Sequence, residues 1–475
     1  MLNVRCMEKV IKAPRFLEVE ESLDILFDGV QIAGVLNDVW FTCIRNNRLD
    51  ISRKRKYQTI ALRIKHWLLP RKNNHAPAVS ENGVLMALSN DTSRIVDLML
   101  PVLDEFNGYS CSVLCCKEDI KANLPAGVSK VIWNECLIYS PNDWRSFYSR
   151  NRKKWNINLK KICSKSGLPE AAYQQLSFTL MIASQYIMGY LNYLLLTRPK
   201  VIITDYDRNH RCSCLVIAAK LAGIPTVTLT HGVMSMDADG YAPVLADKII
   251  SWGELDRDKL IKAGVEPEKI IIGGCPRLSR ELNVDSVKSR IKMGLDRQRK
   301  VVMFASTPER ERFEYVKAFC EAIEKQSEYV GFVRLHPSEK MSTYKHIIEE
   351  YPAVHFFENT ISTLDEALAV SDVVVTHGSG VGLDALVKRR MTVIMDFEVR
   401  PFEYNSDWVY QAGCPHVRTS GELSNLLKKT LVNFKEKKEK INQAEVFLKK
   451  AFVAYGSESA KLIADKIKDY IKFEN

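Results

Sequence analysis

Two carboxylates and a histidine follow successive apolar runs in this 475-residue sequence, where they could act in acid–base chemistry. Asp205 and Asp207 come after residues 201–204, and His231 follows the next strand-like run. An imidazole or carboxylate whose pKa lies near the working pH can take a proton from a hydroxyl group. We therefore expect a base here, with His231 as the first candidate and Asp205, Asp207 and Asp239 after it. The alternative is that these side chains only hold the strand ends in place.

A glycine-rich stretch in the second half has the pattern of an anion-binding turn. Residues 373–376 are β-branched, three glycines follow at 378, 380 and 382, and a helical run then carries Asp384. Glycine lets the backbone approach a ligand, and a helix N-terminus presents free N–H groups to an anion. A carboxylate one turn into the helix can reach a sugar hydroxyl. The alternative is a plain turn whose glycines only allow close packing.

Strand-like and helix-like runs alternate through most of the chain, as in parallel α/β sheets. The alternation covers residues 83–235 and resumes over 248–396. We therefore predict an α/β fold in which two doubly wound Rossmann-like domains face a central cleft. Ligands bind such sheets at the carboxyl ends of the strands, where the candidate residues stand. The predicted parts are an N-terminal extension (1–80), a first Rossmann-like domain (81–240), a second Rossmann-like domain (241–420) and C-terminal helices (421–475).

Length and composition restrict the class of protein. A chain of 475 residues is too long for one ordinary core. The net charge of +11 favours an anionic partner such as a nucleotide, a lipid surface or a nucleic acid. The 12 cysteines include no C-x-x-C pair, which argues against a zinc site and for a reduced, cytoplasmic protein. Charged residues interrupt the N-terminus, so we expect no signal peptide.

Three segments raise the question of membrane contact. Residues 178–196 are largely apolar but include Ser184 and Gln185 and lead directly into a strand, so we predict a buried helix rather than a membrane span. Residues 53–69 and 143–161 combine cations with aromatic or apolar side chains. Segment 53–69 could lie in a membrane interface or form a surface helix packed on the first domain. Segment 143–161 could bind lipid headgroups or single-stranded nucleic acid or form a solvated helix face, and the sequence leaves these alternatives open.

The order of short motifs resembles the GT-B glycosyltransferases of bacterial surface-polysaccharide synthesis. The group with the greatest similarity includes polysialyltransferases, Kdo transferases and CDP-glycerol glycerophosphotransferases. The resemblance covers about residues 200–396 and, more weakly, the chain from about residue 83. Its motifs, in chain order, are His231-Gly232, Ser251-Trp252-Gly253-Glu254, Gly274-Cys275-Pro276-Arg277, Arg334-Leu335-His336-Pro337 and Thr376-His377-Gly378-Ser379-Gly380.

This resemblance implies a GT-B-like fold in which domain 81–240 binds the acceptor and domain 241–420 binds the donor. It also implies a nucleotide-sugar donor, a glycan or lipid-linked glycan acceptor, and no metal ion or other cofactor. It places the donor phosphate at His336, the phosphate or the base at Ser379 and its turn, and the ribose at Asp384, where the family usually has a longer glutamate. An acidic-acidic-glycine motif of the sialyltransferases is matched only approximately by residues 237–240. Transfer expels a phosphate-bearing group, whose charge must be stabilised by preorganised donors. The residues expected on the donor side are His336, Pro337, His377, Gly378, Ser379, Gly380, Asp384, Thr307, Arg277, Arg334 and Glu254.

The leading hypothesis is a glycosyltransferase that extends a capsule, O-antigen, lipopolysaccharide or similar glycan, with a CMP-linked sugar such as Kdo or sialic acid slightly favoured as donor. The alternative is an isomerase like UDP-N-acetylglucosamine 2-epimerase, which shares the two-domain fold and the glycine-rich turn. The third hypothesis is a non-enzymatic protein that binds nucleic acid or membranes, although charge alone does not account for the motifs at the strand ends. We expect no nucleic-acid partner and a cytoplasmic location, with peripheral association at the inner membrane if the acceptor is lipid-linked.

Overall fold

The structure, a computed structural model, describes residues 24–36, 83–116, 124–236, 238, 240–308, 312–396, 408–432 and 434–473. The basic segment 53–69 and the candidate base Asp239 lie outside these described residues.

Seven parallel strands form the first sheet, which a short antiparallel pair precedes. That pair is β1 (Leu26–Phe27) and β2 (Val30–Gln31), and the sheet contains β3 (Val84–Ala87), β4 (Cys111–Cys115), β5 (Ser129–Ile132), β6 (Val201–Thr204), β7 (Thr226–Leu229), β8 (Lys248–Ser251) and β9 (Ile270–Ile272). The strand order is β5-β4-β3-β6-β7-β8-β9. Leu85 and Met86 of β3 enter separate hydrophobic clusters on opposite faces. Because both faces are covered, most of these strands read as continuous apolar runs.

Five helices accompany this sheet: α1 (Ser93–Asp104), α2 (Pro141–Lys165), α3 (Glu170–Thr197), α4 (His210–Ala222) and α5 (Glu254–Lys262). The apolar stretch 178–196 lies within α3, where it packs against α2 and α4 as predicted for a buried helix. Among the helices that the structure describes, none is long and apolar enough to cross a membrane.

Six parallel strands form the second sheet, in the order β12-β11-β10-β13-β14-β15. They are β10 (Lys300–Ala305), β11 (Tyr329–Arg334), β12 (His355–Phe357), β13 (Val373–Thr376), β14 (Met391–Met395) and β15 (His416–Val417). The accompanying helices are α6 (Ser286–Lys292), α7 (Arg312–Glu324), α8 (Lys345–Glu350), α9 (Leu364–Val370), α10 (Gly380–Val387), α11 (Trp408–Gln411) and α12 (Ser420–Val432). The predicted α/β fold with two Rossmann-like domains is confirmed.

The chain changes from one sheet to the other later than the sequence analysis placed it. β8 pairs with β7, with Lys248 opposite Val227, and β9 pairs with β8. The change therefore falls between Ile272 and Lys300, not at residue 240. A buried parallel strand has the same apolar pattern in either sheet, so the pattern does not reveal which sheet it joins.

Each sheet has one point where the strand order reverses, and the candidate residues stand there. In the first sheet this point lies between β3 and β6, which are followed by Ser89 and Asp205. In the second sheet it lies between β10 and β13, which are followed by Ser306 and His377. Such switch points are the usual ligand sites of doubly wound sheets, because the loops diverge there and leave a crevice.

Two C-terminal helices, α13 (Phe434–Ala451) and α14 (Gly456–Phe473), lead the chain back to the first domain. Ile463 and Ile467 of α14 share a hydrophobic cluster with β3 and α1. The returning chain runs beside the outgoing one, since Cys275 N–H donates to the Ala454 carbonyl (3.1 Å) and Gly456 N–H donates to the Cys275 carbonyl (3.3 Å). The two crossings between the domains are thus hydrogen-bonded to each other.

Candidate active site

The first half of the site is the switch point of the first sheet. The Asp205 side chain is fully buried, and its Oδ1 and Oδ2 accept hydrogen bonds from the Ser89 N–H (2.6 Å) and the Ser89 hydroxyl (2.5 Å). Burial raises the pKa of Asp205 to about 6, although the bonds from Ser89 act in the opposite direction. Because Ser89 follows β3 and Asp205 follows β6, these bonds tie together the two strands that flank the crevice.

A main-chain contact sets the tautomer of His231, which follows β7. Its Nδ1 lies 3.1 Å from the carbonyl oxygen of Asp205. A carbonyl oxygen only accepts, so Nδ1 carries the proton of the neutral ring and Nε2 carries a lone pair. Burial, and after it the charge of Arg94, lowers the pKa of His231 to about 4. His231 is therefore neutral at pH 7 and can accept a proton at Nε2.

Two residues that the sequence analysis did not select complete this half of the site. The Tyr241 hydroxyl accepts from the Gly232 N–H (2.8 Å) and donates to the Gly232 carbonyl (3.1 Å), and its ring lies against His231 with the centroids 5.4 Å apart. Arg94 Nε donates to the carbonyl of His231 (3.2 Å). A Cβ atom on Gly232 would lie 2.4 Å from Arg94 Nη2, so glycine at this position makes room for the guanidinium.

Asp207 is bound to a neighbouring loop. Its Oδ2 accepts from the N–H groups of Leu245 (2.7 Å) and Ala246 (2.9 Å), and the residue is 2% exposed. Arg208 donates to the carbonyl of Ala242 in the same loop. These contacts hold the segment that carries Tyr241, so Asp207 stands in a supporting position. The remaining candidate base, Asp239, is outside the described residues.

The second half of the site begins at His336, which follows β11. Its Nδ1 accepts from the Ser338 N–H (3.2 Å) and lies 2.8 Å from the Ser338 hydroxyl. Because a backbone N–H only donates, Nδ1 is unprotonated and the neutral ring carries its proton on Nε2. Burial lowers the pKa of His336, although Glu339 opposes this effect. The ring therefore offers an N–H donor, the opposite of His231.

Glu339 holds the turn that presents His336. Its Oε2 accepts from the His336 N–H (2.9 Å), and its Oε1 accepts from the Tyr344 hydroxyl (2.5 Å). The Tyr344 hydroxyl also lies 3.4 Å from that of Ser306, at the end of β10. Arg312 lies 3.5 Å from Glu339 Oε1. This network links the ends of two neighbouring strands beneath His336.

The glycine-rich turn follows β13 and begins α10. Gly378 has a φ of 71°, and Ser379 caps α10 by accepting from the Val381 N–H at 3.4 Å. Gly380 begins α10, and its ideal Cβ would meet nothing within 4 Å. In the strand order, Thr307 after β10 stands between this turn and His336-Pro337 after β11. With neighbouring strands about 5 Å apart, these groups span about the width of a nucleotide phosphate site.

His377, the residue before the glycine-rich turn, points into the interior of the second domain. Its side chain is buried, its ring stacks on Tyr315 with centroids 4.1 Å apart, and its Nδ1 lies 2.7 Å from the Met395 carbonyl. Nε2 lies 3.2 Å from the Tyr315 hydroxyl. Both ring nitrogens thus have protein partners, and His377 supports the turn from within the second domain.

Three further donor-side candidates make other contacts. Arg277 Nη1 bonds to Asp384 Oδ1 (2.9 Å), which joins the linker between the sheets to α10 and leaves Asp384 Oδ2 for another partner. Arg334 turns back to the Ser362 carbonyl (2.9 Å) inside the second domain. Glu254 is exposed in the first turn of α5 and pairs with Arg257.

The structure therefore brings the candidates together in three groups. Asp205 and His231 meet at the first switch point. His336, Thr307 and Ser379 stand at adjacent strand ends of the second sheet. The third group, the Arg277–Asp384 pair, is close enough to Arg94 for both charges to affect the pKa of Arg94. In the part of the chain that the structure describes, no group of three or more His, Cys, Asp or Glu residues could hold a metal ion.

Sequence reasoning did not select Ser89, Arg94 or Tyr241 as site residues. Ser89 had a detectable signal, because it follows the first strand of a doubly wound domain. Arg94 lies in the first turn of the next helix, which is also a position that faces the crevice. Tyr241 had no such signal, since its loop reaches His231 only through the tertiary fold.

The fold and its two switch points define a GT-B-like α/β protein with two Rossmann-like domains. No protein-family model matches the sequence, and no curated protein matches it. Solved structures do match. The UDP-GlcNAc 2-epimerase of Neisseria meningitidis bound to UDP-GlcNAc aligns with a TM-score of 0.54 and 13% identity, over 83% of this chain and 100% of that chain. The wall teichoic acid polymerase TagF, soaked with CDPG, aligns with a TM-score of 0.53 and 13% identity, over 89% and 99% of the two chains.

These identities establish the shared fold. A further UDP-N-acetylglucosamine 2-epimerase has a TM-score of 0.54 at 12% identity, over 83% of this chain and 97% of that chain. The similar structures are thus enzymes that include both a polymerase and epimerases, and the choice between these activities depends on the site.

Proposed function

We propose that this protein is a metal-independent glycosyltransferase that moves a sugar from a nucleotide-activated donor to a growing surface glycan such as a capsule or an O-antigen. The observation that supports this most is the pair of imidazoles with opposite tautomers at the strand ends. His231 offers a lone pair for a proton of the acceptor, and His336 offers an N–H to the leaving phosphate. Transfer to a hydroxyl needs both a proton acceptor and an anion donor.

On the donor side, His336 Nε2–H and the start of α10 stabilise the charge that develops on the leaving phosphate. Ser379 and Thr307 add hydroxyl groups beside them. The glycines at 378 and 380 allow the phosphate to approach the backbone N–H groups. Asp384 is held by Arg277 through Oδ1, so Oδ2 remains to bind a ribose hydroxyl. These are fixed dipoles and charges, which need no reorganisation during transfer.

On the acceptor side, His231 takes the hydroxyl proton at Nε2 while Nδ1–H remains bonded to the Asp205 carbonyl. That bond stabilises the imidazolium once it forms. Its low pKa makes His231 a weak base in the free protein, and the negative donor bound nearby raises that pKa toward the working pH. Arg94, beside the His231 carbonyl, attracts the same donor.

The donor that we propose is a CMP-linked sugar such as Kdo or sialic acid, on the resemblance at His336-Pro337. The acceptor is a glycan or a lipid-linked glycan, extended at the inner face of the cytoplasmic membrane. A nucleotide-sugar 2-epimerase is the second candidate, because such enzymes share the fold at similar TM-scores. Both candidates bind a nucleotide sugar, and they differ in the product.

The test is a panel of CMP-, CDP-, UDP- and GDP-linked donors in a thermal unfolding assay, because a ligand that binds only the folded protein raises its melting temperature. We expect the greatest rise with a CMP-linked sugar. His336→Ala should reduce the affinity for that donor on the order of 10-fold or more, since it removes a hydrogen bond to a charged group. His355→Ala is the matched control, because His355 is a half-buried histidine within β12.

Incubation with the best donor then separates the two enzymes. Release of the free nucleotide with a glycan product, dependent on an acceptor, supports transfer. A C2 epimer formed without acceptor would replace the transferase by the epimerase, and no stabilisation by any donor would contradict both.

A further inference from the structure

We propose that one face of helix α2 docks this protein on an anionic lipid surface. Eight of the 25 residues of α2 are Lys or Arg, and only Asp143 is acidic. This helix therefore supplies seven of the eleven positive charges of the net balance. Such a concentration on one helix is not needed for the fold, because its packing residues are aromatic and apolar.

Six of the eight cations, all except Arg145 and Arg152, lie on one side of the helix, which we call the cationic face. Its residues recur at intervals of three and four, the spacing that places side chains in one stripe. All of them are exposed, and they surround an exposed apolar side chain, Ile157, which is 59% accessible. The cationic face consists of Arg150, Lys153, Lys154, Ile157, Lys160, Lys161 and Lys165.

The opposite side of α2 is fully engaged in the protein core. Trp144 and Trp155 are each 1% exposed, and Phe147 lies against Phe27 with ring centroids 4.2 Å apart. The aromatic residues of segment 143–161 thus do not contact lipid, in contrast to one reading of the sequence. Their burial fixes the orientation of the helix and turns the cations outward.

Among the residues that the structure describes, carboxylates neutralise little of this face. In the described part of the chain, Lys154 forms the single ion pair of the cationic face, to Asp24 at 2.6 Å. The other cations meet no acid among the described residues, so their charge is available to an external anion.

The cationic face also stands on the side of the molecule where the active site opens. Only residues 198–200 separate the end of α3 from β6, so the start of α3 points toward the carboxyl edge. Tyr186 of α3 is level with that edge, because its ring lies 5.3 Å from His210 at the start of α4. The 16 residues from Tyr186 back to Glu170 extend about 24 Å further. The hairpin of α2 and α3 therefore projects beyond the strand ends, and it carries the cationic face with it.

A lipid bilayer fits this surface better than a nucleic acid. Single-stranded nucleic acids stack their bases on exposed aromatic rings, and the large aromatic rings of α2 are buried. Lysines and arginines around one apolar side chain suit anionic headgroups with Ile157 at the acyl boundary. Binding to the bilayer follows from the cationic face alone. The reason for such binding, which is to bring a lipid-linked acceptor to the cleft, rests on the proposed function.

The test is flotation of the full chain with vesicles at low and high salt. The vesicles consist of phosphatidylcholine alone or of phosphatidylcholine with about one third phosphatidylglycerol. The variant R150Q/K153Q/K160Q/K161Q removes four exposed cations and keeps Lys154. We expect its partition onto anionic vesicles to fall on the order of 100-fold or more, since each cation near such a surface contributes about 1 kcal/mol. The control K449Q/K450Q/K461Q/K466Q removes four exposed cations from α13 and α14, and it should lose less than about 10-fold.

Several results would overturn the proposal: no binding of the unmodified chain to anionic vesicles, equal loss in both variants, or preferential binding of a soluble anionic polymer or nucleic acid through the same face. Both variants should keep the melting temperature, because the substituted side chains are exposed. Stabilisation by the nucleotide sugar should also be unchanged in the α2 variant. Failure of the membrane proposal can therefore be distinguished from failure of the proposed activity.

Discussion

Burial at the first switch point shifts His231 and Asp205 in opposite directions and leaves both less charged than they would be in water. The pKa of His231 falls to about 4 and that of Asp205 rises to about 6. Near pH 5 both side chains are therefore largely neutral. At pH 7 the carboxylate is ionised and the histidine is still neutral, so its Nε2 can accept a proton at either pH.

His231→Gln removes the proposed base and keeps a polar side chain of similar size. We expect kcat to fall on the order of 100-fold or more, with a much smaller change in KM. In the unmodified protein, kcat/KM should remain level as the pH is lowered from 7 to about 5, because the free histidine titrates near 4. A limb near 6.5, or a variant in which only KM changes, would contradict the role assigned to His231.

Asp205→Asn tests the buried carboxylate through stability. The pKa of Asp205 is higher in the folded chain than in the unfolded chain, so the folded state binds the proton more tightly between about pH 4 and 6. Ionisation therefore destabilises the folded protein as the pH rises. Relative to the asparagine variant, the free energy of unfolding of the unmodified protein should fall by up to about 3 kcal/mol from pH 4 to pH 7. Denaturant unfolding at a series of pH values measures this difference in the free energy of unfolding. If the free energies of the two proteins changed in parallel with pH, the raised pKa of Asp205 would be excluded.

Single residues were predictable where the local pattern defined a strand end. His231, Asp205 and His336 follow apolar runs, so their place at the carboxyl edges could be derived from the sequence. The interaction partners of the site residues could not be derived in this way. Arg277 and Asp384 are 107 positions apart, and no spacing rule links them. The same holds for Asp207 and its loop, because the amides that bind it lie 38 and 39 positions away.

The start of α10 combines an open position at Gly380 with tight packing two residues later, at Gly382. A Cβ on Gly380 would meet nothing within 4 Å, whereas a Cβ on Gly382 would lie 2.4 Å from the Trp408 ring. Trp408 is buried in the cluster shared by the two domains. Helix α10 thus needs glycine at position 382 for close packing, which the sequence analysis gave as the alternative to anion binding.

Gly382→Ala should lower the free energy of unfolding by about 1–3 kcal/mol, because the added methyl group forces Trp408 to move. Gly380→Ala is the matched control in the same helix and should be nearly neutral for stability. The same control should weaken binding of the donor if the phosphate approaches the backbone at this residue. Equal stability of the two variants in denaturant unfolding would contradict the packing argument.

The strands β6 and β13 were predicted from their apolar runs, residues 201–204 and 373–376, with the bounds that the structure shows. The strand β4 was not assigned, because Cys111–Cys115 is a short run of cysteine and serine around two aliphatic residues. The order of strands within each sheet could not be derived either. It depends on contacts between elements that are distant in the chain, such as β3 with β6.

At the scale of the whole molecule, the two crossings between the domains depend on a glycine. Gly274 has a φ of 85°, and a Cβ there would lie 2.4 Å from the Ala454 carbonyl oxygen. Gly294 also has a positive φ, 64°, but its Cβ would meet nothing within 4 Å. A substitution at Gly294 would therefore test the cost of the positive φ alone, whereas one at Gly274 would add the cost of the close contact.

Gly294→Ala should cost about 1 kcal/mol of the free energy of unfolding, from the left-handed backbone alone. Gly274→Ala should cost about 1–3 kcal/mol more, because the carbonyl oxygen it meets belongs to the backbone. Thermal and denaturant unfolding of both variants measure the difference. If Gly274→Ala were no worse than Gly294→Ala, the crossings would not be in close contact.

The number and class of the domains were predictable from the alternation of strands and helices. The boundary was not, since β8 and β9 have the pattern of strands from either sheet. The return of α14 to the first domain was also beyond the sequence, because its apolar stripe of Ile463 and Ile467 fits any apolar partner.

The hydrogen bonds between Cys275 and the segment 454–456 have a consequence for movement. Two connections placed far apart would lock the domains, whereas two that run side by side form one joint. Rotation about this joint would change the gap between His231 and His336 and leave the hydrogen bonds at Cys275 in place. We expect the domains to close on the proposed nucleotide sugar by such a rotation.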